Sequence, residues 1–229
     1  MIALPDDFFT RLEAQGWAMS DGVIPPDWRL SLRGASQTLW EAGQFHEATI
    51  GKHASRQNNP KIRGDSICWV DFHAQPFSTH PFTGFLAELR QALNQQYYLG
   101  LRSEEFHLAR YDSGYGYSRH LDQHRNSPHR KISVVLYLND DWNADDGGEL
   151  CLYEAVTNNV SQASRTAQAT QKTKANPVET DIPLERVTRL LPLPGRLVIF
   201  RSDTIWHEVL PTRRTRWSLT GWFRDDVVF

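Results

Sequence analysis

The chain has 229 residues, 40% of them hydrophobic and 23% charged, with a formal net charge of −2, which suits one substantial core better than two full domains. Without a long basic run, wholesale binding to a phosphate backbone has no electrostatic support, so nucleic acid is not an expected partner. Two distant cysteines (Cys68 and Cys151), acids where a signal peptide wants bases, and no apolar run of membrane length point to packed thiols in a soluble, cytoplasmic protein.

Taken in chain order, the punctuation predicts a first helix over Pro5–Gln15, with Asp6 and Asp7 in its first turn, Phe8, Phe9 and Leu12 as its apolar face and Gly16 as its stop. A second helix is expected from Pro26 to about Ala42. A third runs from about Pro81 to Gln95, where Phe82, Phe85, Leu86, Leu89 and Leu93 recur at helical spacing. Gly51 to Pro60, rich in Asn, Gln, Lys and Arg, reads as an exposed, mobile loop. KIRGDSICWVD follows it as a turn, with RGD at 63–65, and then a strand.

From about Phe106 the period becomes strand-like. In KISVVLYLN, Ile132, Val134, Leu136 and Leu138 fall on one face and Ser133, Val135, Tyr137 and Asn139 on the other; GELCLYE, GRLVIFRSD and RWSLTGWFR repeat the pattern between turns. The expectation is a mostly β chain with supporting α-helices, built on a double-stranded β-helix, or jelly roll, with the N-terminal helices packed on its major sheet. Residues 1–229 then form a single domain, 1–100 as helical support and substrate-loop region and 101–229 as the core. Ala155 to Thr180 is polar, lacks aromatics and cannot bury a face, so it reads as a disordered insertion between strands or as a lid.

His120-Leu121-Asp122 heads the β region. Two residues apart on an extended chain, an imidazole and a carboxylate project to the same side and can share one metal. A lone His-x-Asp also arises by chance. His207, expected just past the GRLVIFRSD strand, can complete a set of two imidazoles and one carboxylate, which leaves adjacent positions open on Fe(II); a structural zinc would prefer cysteines. In RWSLTGWFR, alternation puts Arg216, Ser218, Thr220 and Trp222 on one face. The guanidinium fork of Arg216 suits the distal carboxylate of 2-oxoglutarate, and Tyr137 and Thr220 can donate hydroxyls to it. The ordinary fate of such an Arg is a surface ion pair, but Trp217 and Leu219 beside it favour half-burial. His107, His124 and His129 read as packed or solvent-facing, and Gly114 and Gly116 as turn residues beside Tyr115 and Tyr117.

The motifs IRGDSICWVD, YDSGYGYSRHLD, VLYLNDDW, DGGELCLY and HEVLP…RWSLTGWF occur together and in order. On them, residues 60 to 153 and 189 to 224 resemble the prolyl 4-hydroxylase superfamily of Fe(II)/2-oxoglutarate-dependent dioxygenases, closest to the hypoxia-inducible-factor type prolyl hydroxylases and their bacterial counterparts. The resemblance implies His120, Asp122 and His207 as iron ligands, Arg216 and Tyr137 on the distal carboxylate, and Tyr111 and Thr220 lining the co-substrate pocket. It implies Arg63, Asp65, Arg130 and Trp222 at the peptide entrance and a loop at 51–60 that closes over substrate. The insertion after Tyr153 departs from the close relatives.

The implied reaction consumes 2-oxoglutarate and dioxygen, with ascorbate in support, and hydroxylates an aliphatic C–H. The implied substrate is a prolyl residue of a protein, hydroxylated at C4; a bacterial translation factor such as elongation factor Tu is one possibility. Alternatives are a free amino acid or other small molecule, a non-catalytic jelly-roll binding module, and a cupin-like metal isomerase that would not need Arg216. Nucleobase dealkylation fits less well, because Trp222 stands where those relatives carry a second arginine.

Overall fold

The N-terminal helix starts later than its sequence suggests. In the computed structural model, α1 spans Phe8–Gln15; Pro5 to Asp7 form a turn in which the Phe8 amide donates to the Pro5 carbonyl at 2.9 Å, so Asp6 and Asp7 fall outside the first helical turn. Gly16 ends the helix with φ of 82°, a conformation that a Cβ disfavours. α2 (Pro26–Glu41) and α3 (Pro81–Tyr97) both start on a proline, where the missing amide hydrogen is not needed. The structure describes residues 4–49, 59, 61–123, 128–155 and 185–227. The loop expected at 51–60 (Asn59 apart), the insertion after Ala155 and His124 lie outside the described residues. No helix among them is long and apolar enough to cross a membrane.

Two antiparallel sheets carry the rest. The major sheet has the order β1 (Trp17–Ser20), β9 (Leu197–Arg201), β6 (Arg130–Tyr137), β11 (Arg216–Arg224), β4 (Ser103–Tyr111), β3 (Asp65–Val70) and β2 (His46–Glu47). The minor sheet has the order β5 (Tyr117–His120), β10 (Trp206–Val209), β7 (Leu150–Ala155) and β8 (Glu185–Leu190). This is the expected mostly β double-stranded β-helix. His207 lies within β10, not merely past β9. RGD is not a turn: the turn is at Lys61 and Ile62, and Asp65 opens β3.

The major sheet has two unlike faces. On one, Leu108, Val134, Leu136, Leu219 and Phe223 join Phe8, Leu12, Leu32, Phe82, Leu86 and Leu89 of the helices in a single apolar cluster, each buried side chain of this size stabilising the fold by about 1.5–3 kcal/mol. On the other, Tyr111, Val135, Tyr137, Val198 and Phe200 meet Leu150, Leu152 and Val209 of the minor sheet. Toward one side the sheets part, and the space between them is a cavity of about 910 Å³, in the size range of ligand pockets. Cys68 and Cys151 are free, buried thiols, as expected.

Candidate metal and co-substrate site

His120 and His207 meet because β5 and β10 pair in a register that sets them directly opposite one another, and opposed residues of an antiparallel pair point to the same face. Their rings lie 4.2 Å apart at the centroids. Asp122, in the bend after β5, reaches between them, with Oδ1 3.6 Å from His120 Nε2 and Oδ2 3.5 Å from His207 Nε2. The ligand atoms of these three residues all lie within 4.8 Å of one another, close enough for bonds of about 2 Å to one shared ion.

The surroundings fix each ligand for that task. His120 Nδ1 lies 2.8 Å from the Ser118 carbonyl and His207 Nδ1 3.1 Å from the Ile205 carbonyl. Each imidazole thereby donates from Nδ1 and presents the lone pair of Nε2. Burial, reinforced by His120, lowers the His207 pKa to about 4, so the ring is neutral and able to ligate. Burial works against the Asp122 carboxylate, but His207, His120 and a 2.7 Å hydrogen bond from Ser133 Oγ outweigh it and hold its pKa well below the usual range. Ser133 Oγ is itself 2.8 Å from Ser202 Oγ. Two imidazoles and an anchored carboxylate are the donor set of a non-haem Fe(II) centre with open positions, and neither cysteine joins the cluster.

Deeper in the cavity, Arg216 opens β11 opposite Tyr111 of β4, while Ser218 pairs with Tyr137 of β6. Its guanidinium carbon lies 5.2 Å from the Tyr111 ring centre and 4.9 Å from that of Tyr137. Nε donates to the Gly148 carbonyl at 3.0 Å. Gly148 must be glycine here: its φ is 69°, and a Cβ would come within 3.1 Å of the Arg216 side chain. Arg216 is only 2% exposed, yet no carboxylate among the described residues pairs with it. The Tyr137 hydroxyl, although beside that guanidinium, is buried without a hydrogen-bond partner. Burial raises the pKa of both Tyr111 and Tyr137, so both phenols stay protonated and can donate. A buried cation and an idle donor side by side call for an anion, and the residues fit a 2-oxo dicarboxylate whose distal end reaches Arg216.

At the mouth, Arg63 and Asp65 form a bidentate pair at 2.8 and 3.1 Å. Arg63 lies 4.9 Å from the Tyr117 ring centre, and Tyr117 stacks on His120 at 3.7 Å, so the pair also backs a candidate ligand. Arg130 donates to Glu105 at 2.8 Å and lies 3.4 Å from the Trp222 ring centre. Glu105 also accepts from Arg224 at 2.6 Å, and Arg224 is paired in turn with Asp226. Thr220 lines the cavity, with its hydroxyl 3.2 Å from that of Ser218.

Residues 106–224, more than half of the chain, match the family model of the 2OG-Fe(II) oxygenase superfamily. The chain belongs to that superfamily. The chain is similar to a crystal structure of a Pseudomonas putida prolyl-4-hydroxylase, with 31% identity, a TM-score of 0.74, and 96% of this chain and 97% of that one covered. It shares its fold with a Trichoplax adhaerens prolyl hydroxylase solved in complex with a hypoxia-inducible-factor peptide, at 24% identity and a TM-score of 0.68, covering 95% and 87% of the two chains. A hypoxia-inducible factor prolyl hydroxylase of Caenorhabditis elegans is 26% identical over 220 residues, 92% of this chain but 27% of that protein. The oxygenase therefore spans about a quarter of the length of that relative.

All the expected site residues border this cavity except Tyr137, which is fully buried with its ring 4.9 Å from the Arg216 guanidinium carbon. Sequence reasoning missed two features of the oxygenase. The column Asp65, Arg63, Tyr117, His120 joins separate elements, and no spacing announces it. His107, read as packed or solvent-facing, is indeed packed, at 3% exposure between Trp69 at 5.2 Å and Trp222 at 5.4 Å; what went unread is that it lines the cavity with Nδ1 unpartnered. Its place on the Ala109 and Tyr111 face of β4 was the available signal. His129 pairs with Asp225 at 2.9 Å, outside the cavity.

Proposed function

We propose that this oxygenase hydroxylates a prolyl residue of a protein substrate at C4, with His120, Asp122 and His207 holding Fe(II) and Arg216 and Tyr137 holding the distal carboxylate of 2-oxoglutarate. The observation that carries the proposal is the buried, carboxylate-free Arg216 behind three convergent ligand atoms. When bound, Fe(II) with 2-oxoglutarate and dioxygen supplies the oxidising power for C–H hydroxylation, yielding succinate and CO2. The chain's own residues bind and orient. Nε2 of each histidine and the Asp122 carboxylate would hold the ion, Ser133 fixes that carboxylate by a hydrogen bond to Oδ2, and Arg216 would set the depth at which the co-substrate sits. Tyr111 and Val135 line the cavity on the same face of the major sheet.

Two observations support a prolyl residue within a chain over a free amino acid. One is the similarity to the Pseudomonas putida prolyl-4-hydroxylase. The other is the charge account at the mouth, where Arg63 is paired with Asp65, and Arg130 and Arg224 with Glu105 and Asp226. Among the described residues, no cation there waits for the carboxylate of a free amino acid, whereas the uncharged ends of a peptide segment ask for none. Elongation factor Tu is the substrate we put forward, in the cytoplasm and with ascorbate as supporting reductant, on the resemblance to the bacterial prolyl hydroxylases. The test is to incubate iron-loaded protein with 2-oxoglutarate and cytosolic protein and to search by mass spectrometry for prolines heavier by about 16 Da, one oxygen atom, using Asp122→Asn as control. Succinate released without any hydroxylated proline would overturn the prolyl assignment and point to a small-molecule substrate.

A further inference from the structure

β4 turns Glu105, His107, Ala109 and Tyr111 into the cavity. Tyr111 belongs to the Arg216 end and Glu105 to the Arg130 pair; His107, between them, sits opposite Thr220 of β11 and Trp69 of β3. Its Nδ1 is buried with no hydrogen-bond partner, and so is Nε1 of Trp222, whose ring centre is 5.4 Å away. Each such orphan has lost its contact with water and gained nothing in return. Two of them side by side along a ligand cavity mark a place where the ligand brings the partner. The ring is uncharged: burial and the nearby Arg63 and Arg130 lower its pKa to about 3, against weaker opposition from Asp65 and Asp122.

The chemistry of the missing partner follows from the two groups. Indole Nε1–H only donates, so the ligand must accept. A prolyl residue has no amide hydrogen, and before hydroxylation its backbone offers carbonyl oxygens alone. An uncharged imidazole matches such a ligand in its Nδ1–H form. Resting on the prolyl reading above, we propose that His107 is a specificity-determining residue whose Nδ1–H, beside the Nε1–H of Trp222, donates to a peptide carbonyl oxygen flanking the target proline.

The probe is a mixture of end-blocked peptides with a central proline and randomised flanks, presented with 2-oxoglutarate to the iron-loaded protein. With His107→Leu, hydroxyproline formation at low peptide concentration should fall about tenfold through a raised KM. The visible charge-transfer band of the anaerobic Fe(II)–2-oxoglutarate form should stay unchanged, which shows that the site is still assembled. His107→Asn, whose amide nitrogen takes the place of Nδ1, should recover most of the loss. Histidine-selective nitrogen NMR of the Zn(II)–2-oxoglutarate form should find Nδ1 of His107 protonated and shifted by peptide. Equal KM for wild type and the Leu variant, an Asn variant as poor as Leu, or an unprotonated Nδ1 would each overturn the proposal. A wild-type enzyme that consumes 2-oxoglutarate yet hydroxylates no peptide in the mixture would overturn the prolyl reading itself, and this inference with it.

Discussion

On one side of β11, Trp217, Leu219 and Phe223 are buried in one apolar cluster with the helices; on the other, Arg216, Ser218, Thr220 and Trp222 border a cavity and leave polar groups unanswered. Alternation along a single strand thus divides stability from binding, residue by residue. The helix-side face of β11 is buried in that apolar cluster. The cavity face carries the uncompensated cost of a buried cation and of orphaned donors, which a bound molecule would relieve.

Substitutions on the two sides of β11 should therefore give opposite signatures. Leu219→Ala, at a site with no exposure at all, should lower unfolding stability by about 2–5 kcal/mol, the range for a buried Leu cut back to Ala. Chemical denaturation measures it, and the surviving folded fraction should bind 2-oxoglutarate normally. Arg216→Ala should do the reverse, weakening 2-oxoglutarate about a hundredfold or more, as loss of one partner from a buried charged contact does. Its ligand-free melting temperature should be no lower than that of wild type, because an unpaired buried cation has been removed. A large drop in ligand-free stability would mean that Arg216 is a structural residue after all. Ser133→Ala tests the cavity face of β6 more gently. Without the hydroxyl that fixes Asp122, iron affinity should fall about 10- to 100-fold, the usual consequence of losing a hydrogen bond behind a metal ligand. Iron titration checks it, and unchanged affinity would release Ser133 from that role.

How far the two faces were legible in sequence follows the same division. Leu219 and Phe223, like the Phe82 to Leu93 stripe of α3, follow from periodicity, since burial of a face is what periodicity records. Arg216 and the His120 and Asp122 pair were legible as residue types in a strand context and as parts of ordered motifs. The register that sets His207 opposite His120 was not, because pairing between distant strands leaves no local trace. The short strands β1 and β2 escaped for want of length over which to alternate, and β8 because it is exposed along most of its six residues and has no buried face to record. α1 starts at Phe8 because Pro5 to Asp7 close a turn that competes with helix, a choice the proline at position 5 leaves open. His107 escaped because a single histidine acquires meaning only from what surrounds it, here two tryptophans brought in by β3 and β11.

The smallest effect draws the sharpest line between the faces. Tyr137 is fully buried, and its ring packs in the cluster between the sheets while its hydroxyl goes without a partner. Tyr137→Phe keeps the ring and removes only the idle group. The ligand-free protein should then be as stable as wild type or more so, by up to about 1 kcal/mol, because a desolvated hydroxyl is no longer carried into the fold. The KM for 2-oxoglutarate should rise about tenfold, since one donor to a charged carboxylate is lost. Thermal melts with and without 2-oxoglutarate separate the two, and the stabilisation conferred by the co-substrate should shrink even though the apo protein does not weaken. A less stable apo variant with an unaltered KM would mean that this hydroxyl serves the fold, and Tyr137 would pass from the binding face of the sheet to its structural one.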